Sequence, residues 1–175
     1  MKRIWAIAFI ILTSISLTAC AGQKAKEAYQ FSGETDFKED DRSFQLEDVP
    51  DNAAQELVIN DFLYTITAEF KKKTQLFAEN EKHAISIQNE GKNFDKGCYI
   101  KSYQIHRIST LTKEEYSQEK LADGKDNPYY EYGWEDGIKD FGLTEYQIIA
   151  VDFTQTLSEK AQQGGPQWGD GRYQR

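Results

Sequence analysis

"YQIIAVDFTQTL", residues 146–157, decides the fold. Ile149, Val151, Phe153 and Leu157 fall on one side of an extended chain, and Asp152 falls on the other. A period of two in β-branched and aromatic residues marks a strand with one buried and one wetted face. Such a strand belongs to a sheet that is covered on one side only. The cover has to come from elsewhere in the chain.

Residues 98–110, "CYIKSYQIHRIST", supply a second strand; their alternation is imperfect, which predicts a bend or bulge. Between the two strands, "TKEEYSQEKLA" (112–122) begins with a capping Thr and continues in helix formers, so a short helix is expected. The cover lies upstream. Asn52 is placed to cap a helix, with Gln55 three residues later. Ala54, Val58, Phe62, Ile66 and Phe70 then recur every four residues, with Leu57 and Leu63 beside them. That predicts an amphipathic helix of about five turns. Leu76 and Phe77 suggest a further turn. "HAISIQ" (83–88) reads as a short strand, followed by a polar loop "NEGKNFDKG". Asp170-Gly171 is a hairpin signal, and Arg172 to Arg175 reads as a returning strand. The expected class is α+β, with N-terminal helices on a curved, antiparallel, cone-like sheet.

The chain opens with a different signal. Lys2-Arg3 precedes an apolar run, Ile4 to Leu12, that Thr13, Ser14 and Ser16 interrupt too early for a membrane span. This is the pattern of a secretory signal peptide over residues 1–19. Its end, Leu17-Thr18-Ala19-Cys20, resembles the lipobox of bacterial lipoproteins. In that family the cysteine thiol receives a diacylglyceryl group, and cleavage then leaves the cysteine as the first residue. The competing reading is ordinary cleavage after Ala19-Cys20-Ala21, which releases a protein without lipid. Residues 20–49 are polar and aperiodic and are expected to be a tether, with Phe37, Phe44 and Leu46 able to dock on the domain that follows at 50–175.

The 175 residues carry a net charge of -8 and no basic patch, which excludes a nucleic-acid partner. With Cys20 modified, Cys98 has no partner for a disulfide and reads as a small apolar strand residue. No Cys/His spacing suits zinc, and an EF-hand started at Asp123 puts Lys125, Pro128 and Trp134 where ligands or glycine are needed, so no metal and no cofactor is expected.

The order of helices before late strands, with "YQIIAVDFTQTL" leading into "GDGRYQR", resembles the cone-shaped α+β fold of the nuclear-transport-factor-2-like superfamily, as found in small lipoprotein domains of Gram-positive bacteria. The resemblance covers roughly residues 50 to 175. It implies a pocket between the sheet and the helices, and further C-terminal strands that this sequence does not supply. Relatives use that pocket for apolar ligands, for protein contacts or, in some cases, for acid–base catalysis.

Two sets of residues could serve a site. His106 and Asp152 lie on the predicted strands and are the candidate acid or base, with His83 a weaker one. Tyr129, Tyr130, Tyr132 and Trp134 crowd "NPYYEYGWEDG" and offer a recognition surface for a sugar, a peptide or a cation. The plainer reading is that Tyr130, Tyr132 and Trp134, at strand spacing, cover the core. From Lys113 to Glu145 ten acids face four lysines, a net of -6. The expected function is a membrane-anchored, extracytoplasmic binding module for a protein or small molecule. The alternative is a cone-fold enzyme.

Overall fold

The computed structural model describes residues 29–77, 81–130, 145–163 and 169–174. Cys20, Tyr132 and Trp134 lie outside the described residues. The elements run β1 (Asp36–Glu39), β2 (Arg42–Leu46), α1 (Ala53–Ile66), α2 (Phe70–Gln75), α3 (Glu81–Asp95), β3 (Ile100–Leu111), α4 (Lys113–Ser117), β4 (Ile148–Leu157), α5 (Glu159–Gln163) and β5 (Gly171–Gln174). The five strands form one sheet in the order β1-β2-β3-β4-β5. The class is α+β. The sheet, however, is mixed: β2 and β3 are parallel, whereas the other three pairs are antiparallel. The chain passes through three helices between β2 and β3, and such a crossover is how two neighbouring strands come to point the same way.

The tether expected over residues 20–49 is corrected in its second half. Residues 36–46 are a hairpin inside the sheet, turned by Asp40-Asp41 with Asp40 in the left-handed region (φ 51°), which a short Asp side chain tolerates. Phe44 and Leu46 are buried in the main core. Arg42 explains why so acidic a hairpin docks. Its guanidinium donates to the Ile66 carbonyl at 2.5 Å, satisfying the end of α1, and lies over the rings of Phe37 and Phe94. Tyr29 adds a hydrogen bond to Glu56 on α1.

The start of α1 is as expected: the Asn52 side chain accepts from the Ala54 and Gln55 backbone N–H groups. Gln55 reaches back to the Asp51 N–H, one residue upstream of the standard capping box. The end differs. The helix stops at Ile66, four residues before the expected stripe runs out at Phe70. Ala68 takes a left-handed φ of 58°, while Glu69 N–H bonds to the Tyr64 carbonyl and Ala68 N–H to the Thr65 carbonyl. This is a Schellman stop with alanine where glycine usually sits. Ala68→Gly is therefore expected to raise stability by about 1 kcal/mol, read as a later denaturation midpoint. An unchanged or earlier midpoint would show that the left-handed alanine costs nothing here.

The strand expected at 83–88 is also corrected. Those residues are helical, as are most of those in the expected loop, and α3 runs through both. Ile87 is buried, Glu90, Gly91 and Phe94 are half-buried, and Ile85 is 49% exposed. That is a helical stripe. Gly91 lets Phe70 pack onto α3, since a Cβ there would stand 3.3 Å from the Phe70 ring. Phe70 and Phe94 meet edge to face at 5.9 Å.

β3 and β4 form the centre of the sheet. On one face Tyr103, Ile105 and Ile108 of β3, with Val151 and Phe153 of β4, pack against Ile59, Phe62, Leu63 and Ile66 of α1. The register shifts between Ile105↔Phe153 and Arg107↔Asp152. This is the expected bulge, and it sets His106 as the extra residue beside Asp152. β4 and β5 pair antiparallel, but residues 158–170 connect them, so Asp170-Gly171 opens β5 instead of forming a tight two-residue turn. Asp170 accepts from the Leu157 N–H at 2.7 Å. Cys98 is free and half-buried just ahead of β3, not within it.

Candidate functional site

Position along β3 and β4 decides which candidates meet. The even-numbered residues Gln104 and His106, with Asp152 and Thr154, stand on the face away from α1. Row by row, Gln45, Gln104, Thr154 and Arg172 line up across four strands. The side chains that could do chemistry are tied to one another. His106 Nδ1 lies 2.9 Å from Glu47 Oε2, and its Nε2 lies 2.7 Å from Thr154 Oγ1. Gln104 donates to the other Glu47 oxygen at 2.5 Å. These bonds, that from His106 first, hold the Glu47 carboxyl below its ordinary range.

Asp152 is paired as closely. Arg172 on β5 donates to it through Nε at 2.8 Å and through Nη2 at 2.5 Å, a bidentate fork. The fork lowers the Asp152 pKa from 3.8, against a smaller opposing push from burial, and the same fork raises that of Arg172. His106 and Asp152 therefore share one polar face, but Asp152 is tuned away from being an acid at neutral pH. The order carboxylate–imidazole–hydroxyl in Glu47, His106 and Thr154 is that of a proton relay. None of the three lines either of the cavities described below. An acid or base in a pocket, which the enzyme alternative requires, is supplied to neither cavity by His106 or Asp152. His83 falls within α3 instead of at a helix–strand junction.

The Asp152 fork sets a pH dependence with a definite sign. A folded pKa below 3.8 means that the pair's stabilisation is complete above about pH 4 and is lost as pH falls through the lowered value. Asp152→Asn is expected to lower the denaturation midpoint at pH 7 and to flatten its fall below pH 4. Parallel curves for both chains below pH 4 would count against the pair.

The aromatic candidates go elsewhere. Tyr129 and Tyr130 line a groove of about 620 Å³ between α1 and the start of β4. Leu57, Val58, Asp61 and Phe62 come from α1, Leu76 and Phe77 from the chain after α2, and Gln147 to Val151 from β4 and its approach. Asn127 anchors the tyrosine pair. It is 6% exposed, its amide donates to the Glu115 and Gln118 carbonyls at 2.7 Å each, and its oxygen accepts from the Tyr129 N–H at 3.0 Å. The short helix α4, closed by a Thr112–Glu115 capping box, supplies the first of those carbonyls. Among the described residues, Asp61 is the one carboxylate in the groove wall.

A second cavity of about 430 Å³ opens beside α3, lined by Thr65, Phe70, Glu90, Phe94, Cys98 and Tyr99 among others. Lys73 lies between the two cavities. It is 7% exposed, and its ammonium donates to Thr65 Oγ1 at 2.6 Å and to Glu90 at 3.0 Å. Among the described residues, no group of three or more His, Cys, Asp or Glu is placed to hold a metal ion, and no helix is long and apolar enough to cross a membrane.

Comparison of the chain with protein-family models, with curated proteins and with solved structures finds no match. The class that the fold and the groove define is thus an α+β domain with an apolar groove between helix and sheet.

Proposed function

We propose that the protein is a lipid-anchored, extracytoplasmic binding module whose groove takes a small, largely apolar ligand without chemical conversion. The groove lining carries this reading. Leu57, Val58, Phe62, Ile148, Ile149 and Val151 give it apolar walls, and Tyr129 and Tyr130 are part of its lining. A concave, mostly apolar site with few polar groups is the usual form of a small-molecule site. The anchoring rests on the run from Lys2 to Cys20. Two acyl chains on Cys20 suffice to hold a domain at a bilayer surface.

The test uses the full chain in lipid nanodiscs with labelled Leu, Val and Ile methyl groups. Addition of 4-phenylbutanol, a neutral probe, is expected to shift the methyl resonances of Leu57, Val58, Ile148 and Ile149 above all others. Leu57 is 47% exposed, so Leu57→Glu leaves the fold intact while spoiling the groove wall. It should weaken binding about tenfold, the worth of part of one apolar side-chain contact. Shifts that scatter over the domain, or that Leu57→Glu leaves unchanged, would overturn the reading.

A further inference from the structure

We infer that the groove's ligand is a cation: an apolar or aromatic body bearing a protonated amine, seated with its charge at Asp61. This deepens the proposed function and rests on the groove being a ligand site. The first observation is a carboxylate that shares its cation. Asp61 lines the groove, yet its Oδ1 is buried and accepts no hydrogen bond among the described residues. Lys73 Nζ forms an ion pair with that oxygen at 3.3 Å and donates hydrogen bonds to Thr65 and Glu90. Buried polar atoms are nearly always partnered, and a carboxylate oxygen more so than most.

The second observation is charge. Lys73 also pairs with Glu90 at 2.9 Å, so one ammonium serves two carboxylates and the cluster keeps a charge of -1. Among the described residues, no lysine or arginine lines the groove to balance it. The described stretch from Lys113 to Tyr130, which brings Tyr129 and Tyr130 to the groove, carries five acids and three lysines, a net of -2. An anion entering would meet the Asp61 carboxylate in a site of reduced dielectric, whereas a neutral ligand would leave it unmatched. A protonated amine at the accessible part of the Asp61 side chain, which is 32% exposed, neutralises the cluster and can lie against tyrosine faces.

The experiment compares three probes of one shape, 4-phenylbutylamine, 4-phenylbutanol and 4-phenylbutyrate, by equilibrium dialysis against nanodiscs carrying the full chain, with empty nanodiscs as the blank. The amine is expected to bind at least tenfold more tightly than the alcohol, and the carboxylate most weakly. Asp61→Asn should reduce the amine's advantage to within about twofold while leaving the alcohol bound. Glu90→Gln gives a second route, because Glu90 does not line the groove yet its loss lets Lys73 neutralise Asp61. It too should erase most of the preference. Equal binding of amine and alcohol to the unaltered chain, or tighter binding of the carboxylate, would overturn the cation inference while leaving the groove standing. Binding of none of the three would overturn the groove reading and this inference together.

Discussion

Phe62→Ala is expected to remove about 3–5 kcal/mol of stability, the cost of deleting a buried aromatic side chain together with the cavity left behind. Phe62 is 7% exposed on the inner side of α1. Its ring meets Tyr103 edge-on at 4.8 Å and Phe153 at 5.0 Å, so one side chain joins the helix to both central strands. Phe153 in turn stacks on Tyr173 at 5.6 Å, which carries the contact out to β5. Domains are stable by about 5–15 kcal/mol, so this loss leaves a chain at the edge of unfolding. Urea denaturation followed by far-UV circular dichroism measures it. Leu57→Ala on the same helix is the control: 47% exposed, it should move the midpoint by under about 0.5 kcal/mol. Similar losses for the two would mean that α1 is not held on the sheet by this aromatic contact. Phe62 also lines the groove, so the truncated chain should bind 4-phenylbutanol less well even where it remains folded.

What the sequence made legible follows the range over which each signal acts. The two central strands were readable because β-branched and aromatic residues record a sheet locally, and the bulge at His106 showed as a break in that alternation. The start of α1 was readable because a cap is a contact within three residues. Its end was not, because no glycine marks the left-handed position that Ala68 occupies. Of the expected stripe Phe62, Leu63 and Ile66 are buried, but Gln55 and Ile59 complete it in place of Ala54 and Val58, and Leu57 and Val58 line the groove. Residues 83–88 alternate by accident. The helical signal there was Ile87 to Phe94 across Gly91, weak because two of its contacts are to a glycine and to a distant Phe70.

The hairpin at 36–46 was hidden for the same physical reason. Four- and five-residue strands joined by acids look like linker until Arg42 finds the end of α1 twenty-four residues away. The candidate site was half legible. Tyr129 and Tyr130 announced themselves by composition, and the structure brings them to a groove. Asp61 did not, because a single acid on an amphipathic helix reads as solvated surface, and only the Lys73–Glu90 pairing shows that it shares its ammonium with a second carboxylate. His106 and Asp152 were singled out as chemistry-bearing residue types, but a residue type carries no information about its partners. Glu47, Thr154 and Arg172 account for both.

Cys20→Ala is expected to change the mass of the protein at both the lipid and the leader. In the proposed pathway the thiol is acylated first and the leader is removed afterwards, so the unaltered chain should be isolated from membranes beginning at Cys20 and heavier by a diacylglyceryl group. Metabolic labelling with a radioactive fatty acid should mark it. The Cys20→Ala chain offers no thiol. It should take up no label and keep residues 1–19, still attached to the membrane through the apolar run from Ile4 to Leu12. Ordinary cleavage after Ala21 makes the opposite forecast: neither chain is labelled, both lose the leader, and both are released. The two pathways part at a physical step, since a single thioether-linked diacylglyceryl group supplies the two acyl chains that stable anchoring requires, whereas a cleaved, unmodified terminus supplies none. Label on the unaltered chain together with a retained leader on the substituted one is thus the outcome that the anchored-module proposal requires. An unlabelled, released wild-type chain would take the groove and its ligand away from the membrane surface altogether.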